Sequence, residues 1–353
     1  MINVLVLFGG QSTEHEVSLK SAYNVLGKID KNKYEITTVG ITKNGQWFLY
    51  EGDSENIKDG SWEKGEITPA FLSPDASMGL VVLGGKTEIK KVDVVFPVLH
   101  GACGEDGTIQ GLCTLAKIPC VGPDMISSAL CMDKTATKIM LKDLNIPQAD
   151  WLTVIDYEFK NSDEVIERIE NKFEYPVFIK PANAGSSVGI GKSHNREELK
   201  EHLENAFKFD AKVLVEEYIE GREVECAVLG NDEPFASVLG EIVPDKEFYD
   251  YEAKYQSDSK LTIPAPISET KSNQIREFAK KAFTKIGLKG MSRIDFFVHK
   301  MTGEIYLNEI NTIPGFTDKS MYPMLMANSG IDGIQLIDKL IELAIEEFSG
   351  EVL

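Results

Sequence analysis

The sequence predicts a chain of mixed α/β and α+β class that is divided into three domains. Its 353 residues exceed what a single hydrophobic core usually serves. Strand-like and helical runs alternate over the first third of the chain, which favours a parallel sheet covered by helices. This alternation ends near Gly122-Pro123, where segments of α+β character begin. We place the domains at residues 1–122, 123–218 and 219–353.

The first domain is predicted to be the parallel α/β unit. Apolar, β-rich runs predict strands at residues 2–8, 34–41 and 92–99. Helical spacing of apolar residues begins at about Ser18, after a glycine turn, and recurs over residues 106–117. Residues 51–78 are polar and rich in turn-forming residues, so we interpret them as an excursion from the sheet.

The second domain is predicted to be a smaller α+β unit, and the third a further unit built around strands. In the second, the pattern predicts helices at 126–132, 135–144, 162–172 and 196–209, and strands near 151 and at 176–180 and 213–218. In the third, it predicts strands at 223–229, 237–242, 292–298 and 304–310, and helices at 271–286 and 334–348. A polar stretch at 244–261 lies inside the third domain.

Charge and hydropathy narrow the classes of function. The formal net charge of -19 disfavours nucleic acid as a partner, because phosphate backbones bind basic surfaces. The longest apolar runs have the length of strands and fall short of the ~20 residues that a membrane span needs. Residues 1–4 lack the basic start of a signal peptide, so we expect a cytoplasmic protein.

Cysteine usage also favours a reducing compartment. The number of cysteines, five, is odd and no two have CxxC spacing, which argues against a disulfide framework or a zinc site. We expect all of them to be small, buried core residues. They are Cys103, Cys113, Cys120, Cys131 and Cys226.

The segments "SRIDFFV" and "EIYLNEINT" flank a turn candidate that contains Gly303. A hairpin centred near Thr302 would set Asp295 opposite Glu309 and Arg293 opposite Asn311, all on one face. Facing carboxylates repel unless a cation lies between them, and Mg2+ prefers carboxylate and amide oxygens. On spacing alone, a metal site and a solvated polar face are equally supported. Arg293 favours the metal site, because a cation there suits an anionic transition state.

The segment "IKPANAGSSVGIGKS", residues 179–193, is a candidate phosphate loop. It is not a Walker A loop, since Gly185 and the Gly-Lys pair at Gly191 are separated by five residues instead of four. A mobile glycine loop that closes its N–H groups over phosphates is one interpretation, and a plain surface loop is the other. Lys180 favours the first, because lysine at the end of an apolar strand is seldom buried without an anion.

Seven motifs in order resemble those of D-alanine–D-alanine ligases, along essentially the whole chain. They are "FGGQSTEHEVS" (8–18), "LHGACGEDGTIQG" (99–111), "CMDKTATK" (131–138), "FIKPANAGSSVG" (178–189), "FYDYEAKY" (248–255), "SRIDFF" (292–297) and "LNEINTIPGFTDKSMYP" (307–323). The resemblance implies a three-domain ATP-grasp fold, with ATP held between the central and C-terminal domains.

The resemblance also implies an ATP and metal site. Lys134 and Lys180 would hold phosphates, Glu216 and Ile219 would meet the adenine edge, and Glu223 the ribose. The predicted metal ligands are Asp295, Glu309 and Asn311, for two Mg2+ or Mn2+ ions, in agreement with the hairpin argument. Further residues assigned to ATP binding are Ser187, Tyr218, Lys254 on the lid segment, and Phe297.

The amino acid sites follow from the same resemblance. Glu14 would pair with the ammonium group of the first D-alanine, with Ser186 and Tyr255 positioning Glu14 and closing the site. Arg293 and the backbone at Gly315 would face the oxyanion. Residues assigned to substrate binding also include Ser320, for the carboxylate of the second D-alanine, Met321 and His100.

The implied reaction is ligation of two D-alanines through an acyl phosphate, for peptidoglycan precursors. ATP phosphorylates a carboxylate, and the second amino group then attacks it. A sister ligase that joins D-alanine to D-serine or D-lactate is the nearest alternative, although Tyr255 and Met321 resemble the D-alanine form. A non-catalytic nucleotide sensor has no need of Arg293, and a dehydrogenase would need a GxGxxG turn. A homodimer is compatible with the sequence.

Overall fold

The strands assemble into sheets that follow the order of the chain. The structure, a computed structural model, describes residues 1–186, 188–243 and 260–350. Within these residues, the strands belong to three sheets, drawn from the first, middle and last parts of the chain. The predicted class, mixed α/β and α+β, is therefore confirmed.

The N-terminal sheet has a parallel centre. Its strands are β1 Ile2–Gly9, β2 Tyr34–Ile41, β3 Trp47–Tyr50, β4 Ile67–Leu72, β5 Leu80–Leu83, β6 Thr87–Lys90 and β7 Val94–Val98, in the order β6-β5-β4-β3-β2-β1-β7. The associated helices are α1 His15–Leu26, α2 Ser54–Lys58 and α3 Thr108–Ala116. Only β2, β1 and β7 are parallel, and β3 to β6 continue the sheet in antiparallel pairs.

The prediction that residues 51–78 leave the sheet was wrong in part. Residues 51–64 do carry α2 and a helical turn, but β4 pairs with both β3 and β5. The reason is that antiparallel neighbours need only short turns between them, so polar, turn-rich sequence can surround a real strand. Burial of Ala70 and Leu72 on one face stabilises β4 despite its polar surroundings.

The middle of the chain contributes helices and an antiparallel sheet. The elements are α4 Met125–Met132, α5 Lys134–Leu141, β8 Trp151–Ile155, α6 Ser162–Glu170, β9 Val177–Pro181, β10 Gly191–Ser193, α7 Arg196–Ala206 and β11 Lys212–Glu217, with strand order β10-β9-β11-β8. Apolar residues of α6 and α7 pack on the sheet as a separate core that includes Ile166, Leu203 and Val215. In contrast, Cys131 and Leu141 of α4 and α5 pack with the C-terminal sheet.

The C-terminal sheet is antiparallel and carries long helices. Its elements are β12 Gly221–Gly230, β13 Phe235–Val243, β14 Lys260–Thr262, α8 Glu269–Ile286, β15 Gly290–His299, β16 Ile305–Asn311, α9 Met321–Asn328 and α10 Gly333–Gly350, with strand order β14-β13-β12-β15-β16. One core unites the N-terminal and C-terminal parts, because Phe8 and Phe96 cluster with Phe316, Tyr322 and Leu340. The division at 122/123 and 218/219 stays a proposal about domains.

Two predictions about the surface have structural outcomes. Among the helices in the described part of the chain, none combines the length and apolar character that a bilayer crossing requires. Cys113, Cys131 and Cys226 are buried and Cys120 is half-buried, but Cys103 is exposed, so the core prediction was wrong there. Cys103 lies in a tight turn of small residues with a φ of 64°, which places its side chain outside the core.

Candidate active site

A cleft of about 1470 Å³ opens between the three sheets. The N-terminal part contributes the start of α1 and the loop after β7, and the middle part contributes α5, β9 and the end of β11. The C-terminal part contributes β12, β15, β16 and the loop before α9. This volume exceeds that of an ordinary small-molecule pocket, so the cleft has room for a nucleotide together with smaller substrates.

The hairpin of β15 and β16 has the predicted register at the site. Asp295 pairs with Glu309, and Arg293 pairs with Asn311. Nearer the turn the register shifts, because Phe296 pairs with Leu307 and leaves Asn308 as an extra residue. Such a bulge re-aims side chains. As a result, Asn308 lines the cleft beside Glu309 instead of facing the other side of the sheet.

Arg293 is the centre of a buried acidic group. Its Nε and Nη2 donate to the two oxygens of Asp295, each at 2.8 Å, and its Nε lies 3.0 Å from Glu225 Oε2. Burial by itself lowers the pKa of Arg293, but the carboxylates of Asp295 and Glu225 raise this pKa well above its usual value. Glu225, Asp295 and Glu309 lie in one row across three strands. Arg293 is therefore fixed as a cation facing the cleft.

The oxygen donors of this face suit a hard divalent cation. Glu309 and Asn311 line the cleft, whereas Asp295 lies beneath them with both oxygens bound by Arg293. Asn311 Nδ2 donates to Asp295 Oδ2 at 3.0 Å, so its amide oxygen is the atom that can serve a cation. In residues 1–186, 188–243 and 260–350, no group of three or more His, Cys, Asp or Glu is arranged to hold a metal. Phosphate oxygens would complete such a shell, as Mg2+ prefers.

Lys180 is held by a buried ion cluster at the base of the cleft. Its Nζ lies 2.6 Å from Glu216 Oε2 and donates to Asn308 Oδ1 at 3.2 Å. The other oxygen of Glu216, Oε1, lies 2.7 Å from Lys138 Nζ. Burial by itself raises the pKa of Glu216, but the ammonium groups of Lys180 and Lys138 lower this pKa to about 2. Glu216 is thus an anion shared by two cations.

The glycine loop reaches across the cleft from β9. Lys134, at the start of α5, donates from Nζ to the carbonyl of Ala184 at 2.7 Å, which ties this lysine to the loop. Ser186 has a φ of 49°, and an added Cβ at Gly185 would lie 3.1 Å from Glu14 Oε2. The loop therefore meets Glu14 of the N-terminal part through Gly185, and the positioning of Glu14 by the next residue, Ser186, stays a prediction.

Glu14 is buried where α1 begins, and it lies against glycine backbone on two sides. Besides Gly185, the backbone of Gly101 is so close that an added Cβ would lie 2.8 Å from Glu14 Oε2. The positive φ of Gly101, 70°, also disfavours any other residue. These contacts place a carboxylate in the cleft beside the glycine loop, where it can meet a substrate ammonium group.

His100 is bonded through both ring nitrogens. Nδ1 lies 3.1 Å from the carbonyl oxygen of Ile313, and because a carbonyl oxygen can only accept a hydrogen bond, Nδ1 is the donor. Nε2 lies 3.0 Å from Ser21 Oγ. Ser21 Oγ accepts the N–H of Phe316 at 3.1 Å. Although burial by itself lowers it, the neighbouring Glu105 raises the pKa of His100. His100 and Ser21 thereby hold the loop that carries Gly315.

The loop before α9 brings Gly315 and Ser320 together. An added Cβ at Gly315 would lie 2.8 Å from Ser320 Oγ, so any larger residue would displace the Ser320 hydroxyl. Ser320 Oγ accepts the N–H of Thr317 at 2.9 Å and stands at the N-terminus of α9. A helix N-terminus with a hydroxyl group attracts carboxylates. Met321 is buried and packs its thioether against Gly240.

The far end of the cleft is aromatic. Tyr218 stacks on Phe178 with ring centroids 5.9 Å apart, and Ile219, Glu223 and Phe297 also line this end. Flat apolar surface beside a carboxylate at Glu223 suits a purine ring and a ribose. Three predicted residues, Ser187, Lys254 and Tyr255, lie outside the residues that the structure describes.

Several residues of this site were not predicted from the sequence. Lys138 lies four residues after Lys134 on the same helix, and Glu225 lies two residues after Glu223 on the same strand face, so spacing could have found both. Ser21 had no comparable signal. Asn308 could not be found by alternation, because alternation assigns it to the opposite face and only the bulge reverses this.

Comparison with protein-family models gives two matches that together cover most of the chain. Residues 3–123 match the model described as the N-terminus of D-ala D-ala ligase. Residues 140–342 match the model described as its C-terminus.

Curated relatives and solved structures are similar over nearly the whole length. The chain is 56% identical to the D-alanine--D-alanine ligase of Clostridium acetobutylicum, over 97% of each chain. It is 51% identical to that of Acetivibrio thermocellus, over 98% of this chain and 96% of the relative. Among solved structures, the VanG D-Ala:D-Ser ligase from Enterococcus faecalis is similar with a TM-score of 0.90 at 43% identity, covering 97% of this chain and 99% of that one. The D-alanine-D-alanine ligase from Coxiella burnetii has a TM-score of 0.87 at 37% identity, covering 99% and 95%.

Proposed function

The chain belongs to the D-alanine–D-alanine ligase family, and from this premise we propose that its cleft joins two D-alanines in an ATP-dependent reaction that supplies peptidoglycan precursors. The observation that carries the proposal is the single cleft in which Lys180, Arg293, Glu309 and Ser320 meet. Cations, oxygen donors and a helix N-terminus in one space suit a reaction that activates a carboxylate with a nucleotide.

We assign the nucleotide to the side of the cleft formed by the middle and C-terminal sheets. Tyr218, Ile219 and Phe297 would enclose the adenine, with Glu223 at the ribose. Lys134 and Lys180 would hold the phosphates, and Ser187 and Lys254 are further expected contacts. Glu216 would meet the adenine edge, and its ion pairs with Lys138 and Lys180 would hold its carboxylate in place there.

We assign the amino acids to the side formed by the N-terminal sheet and the loop before α9. Glu14 would pair with the ammonium group of the first D-alanine, with Ser186 and Tyr255 closing over it and His100 nearby. Ser320 and the N-terminus of α9 would hold the carboxylate of the second D-alanine, next to Met321. The close approach of Ser320 Oγ to Gly315, where an added Cβ would lie only 2.8 Å away, supports a short distance between this carboxylate and the oxyanion site.

The carboxylate and amide oxygens of the hairpin support a divalent cation as the cofactor. Glu309, Asn311 and Asp295 would hold Mg2+ or Mn2+, and two such ions are expected. A bound ion of this kind would offset the negative charge of the phosphate groups. All the ligand atoms of these three residues would be oxygens, which Mg2+ prefers, whereas zinc sites in proteins commonly use nitrogen and sulfur.

The reaction follows from these positions. The terminal phosphoryl group of ATP is transferred to the carboxylate of the first D-alanine, which gives an acyl phosphate and ADP. The second D-alanine loses a proton from its ammonium group and attacks the acyl carbon through the amino group. Phosphate leaves as the C–O bond breaks, and the nitrogen loses a second proton to give the amide. Arg293 and the N–H at Gly315 would stabilise the tetrahedral oxyanion. Exclusion of water by the glycine loop protects the acyl phosphate from hydrolysis.

Competition between substrates tests the proposal and its nearest alternative. With ATP and equal D-alanine, D-serine and D-lactate, we expect phosphate release and D-alanyl-D-alanine as the main product by mass spectrometry. Some D-alanyl-D-serine is expected, since an apolar pocket rejects an added hydroxyl by only ~10²-fold. A dominant D-serine or D-lactate product would assign the chain to the sister ligases, and nucleotide binding without turnover would assign it to a sensor.

The cellular setting is part of the proposal. We expect the enzyme to work in the cytoplasm, where ATP and Mg2+ are both available. A homodimer is a compatible assembly, and sedimentation of the purified chain would test it.

A further inference from the structure

Lys138 lies beneath the cleft and does not line it. Its side chain is 3% exposed. The ammonium group lies 2.7 Å from Glu216 Oε1 and donates to the carbonyl of Ala149 at 3.0 Å. It also lies 5.1 Å from the ring centroid of Trp151. A lysine buried this deeply needs a partner, and here that partner is the same carboxylate that binds Lys180.

Lys180 has three N–H donors, and contacts with the residues that the structure describes use two of them. One is directed at Glu216 and another at Asn308. The third remains for a nucleotide phosphate, because a lysine ammonium group has three donors and no acceptor. The charge of Lys180 is a separate matter. Its ion pair is with Glu216, while Glu309 and Glu223 act on it from farther away. Without Lys138, the pair of Lys180 and Glu216 would be neutral and would attract a phosphate only weakly.

We propose that Lys138 is a positioning residue for ATP, which neutralises Glu216 so that Lys180 keeps a net positive charge for the nucleotide phosphates. The cluster of two lysines and one glutamate then carries a charge of +1, while Glu216 still fixes the direction of the Lys180 side chain. The inference rests on the proposed function, because it concerns the ATP of that reaction.

The cluster is built from three separate segments, which supports a shared function over chance pairing. Lys138 comes from α5, Lys180 from β9 and Glu216 from β11. One lysine would be enough to neutralise the buried carboxylate of Glu216 and stabilise the fold. The presence of a second buried lysine therefore suggests a function beyond stability. Although burial by itself lowers it, Glu216 raises the pKa of Lys180, in keeping with a permanent cation.

The first test replaces Lys138 with methionine, which keeps most of its length and removes its charge. For K138M we expect the KM for ATP to rise about tenfold at saturating D-alanine, with the KM for D-alanine unchanged, because an electrostatic contribution to phosphate binding is lost. K138R should restore the KM for ATP. The matched control is K172M, since Lys172 pairs with Asp150 outside the cleft and should leave both KM values unchanged.

A double-mutant cycle separates neutralisation from packing. In K138M/E216Q the negative charge of residue 216 is absent, so Lys180 no longer needs Lys138 to neutralise it. The KM for ATP of K138M/E216Q should therefore lie within about threefold of the KM of E216Q. If K138M does not fold, the comparison of K138M/E216Q with E216Q still decides, because a larger difference contradicts neutralisation. An unchanged KM for ATP in K138M, or no rescue by K138R, also overturns the inference.

The outcome is distinguishable from failure of the proposed function. Wild-type protein is titrated in parallel by calorimetry with Mg2+ and the non-hydrolysable analogue in which an imido group joins the β- and γ-phosphates. Absence of binding and of ATP-dependent phosphate release in the wild type would contradict the proposed function itself. Wild-type binding that K138M retains at the same affinity would contradict the role of Lys138 alone.

Discussion

At the scale of single residues, the candidate site works by opposing charges at close range. Arg293 faces three carboxylates, Glu225, Asp295 and Glu309, in one row across neighbouring strands. Buried like charges repel, so such a row is stable only with cations among it. Arg293 supplies one cation, and we expect a divalent ion beside Glu309 to supply the rest.

Replacing Glu309 with glutamine tests this expectation. The amide is similar in shape but lacks the charge, so the Mg2+ concentration for half-maximal activity should rise about tenfold or more. Activity is measured as phosphate release while Mg2+ is varied. The matched control is E304Q, because Glu304 lies on the same hairpin, is exposed, and accepts from Tyr306 at 2.7 Å outside the cleft. Wild-type dependence on Mg2+ in E309Q would remove Glu309 from the metal site.

At the scale of elements, the loop before α9 is the part that needs support. It has no regular structure of its own between β16 and α9, yet it carries Gly315 and Ser320. Its support comes from other elements, through Ser21 of α1 and through His100 after β7. The backbone that would meet the oxyanion is therefore fixed by the N-terminal part of the chain.

Replacing Ser21 with alanine should reduce kcat by up to about tenfold while the KM for ATP stays within about twofold. The reason is that a misplaced Gly315 N–H affects the transition state and not nucleotide binding. The measurement is steady-state phosphate release at varied ATP. S193A is the matched control, because Ser193 is also buried and bonds a histidine, His202, at 2.8 Å, in the middle sheet. Equal kcat losses in both variants would mean a general effect on stability.

At the scale of the whole molecule, the hydrophobic cores differ in which parts of the chain share them. The N-terminal and C-terminal parts share one hydrophobic core, in which Phe96 and Phe316 form an edge contact with centroids 6.3 Å apart. The middle sheet has its own core with α6 and α7. The side of the cleft to which we assign the nucleotide lies between the middle sheet and this shared core, so relative motion of the two would open and close it.

Hydrogen exchange should reveal this arrangement. We expect amides of β8, β9 and β11 to exchange through an opening of lower free energy than amides of β1 and β12, because the middle core can open without disrupting the shared one. The Mg2+ complex of the imido analogue should slow exchange in β9 and β11 most. Measurement by mass spectrometry at peptide level suffices. Uniform protection across all of these strands would contradict separate cores.

The sequence by itself determined the class of fold and the facing pairs of the hairpin. The register of Asp295 with Glu309 was predictable, because strand side chains alternate with a period of two and the turn fixes which residues meet. The ordered motifs predicted the family that the comparisons confirmed. These features depend on local spacing, which a sequence displays directly.

The tertiary structure alone decided how distant segments share charge and space. The bulge at Asn308 moves its amide to Lys180, 128 residues away, although regular alternation assigns it to the opposite face. Glu216 is bridged by Lys138 and Lys180 from two other elements, and its predicted place at the adenine edge stays a prediction. β4 joins the N-terminal sheet because its neighbours bury its apolar face, not because its sequence is distinctive. In each case the deciding energy comes from burial and pairing between segments that lie far apart in the chain, where local periodicity carries no information.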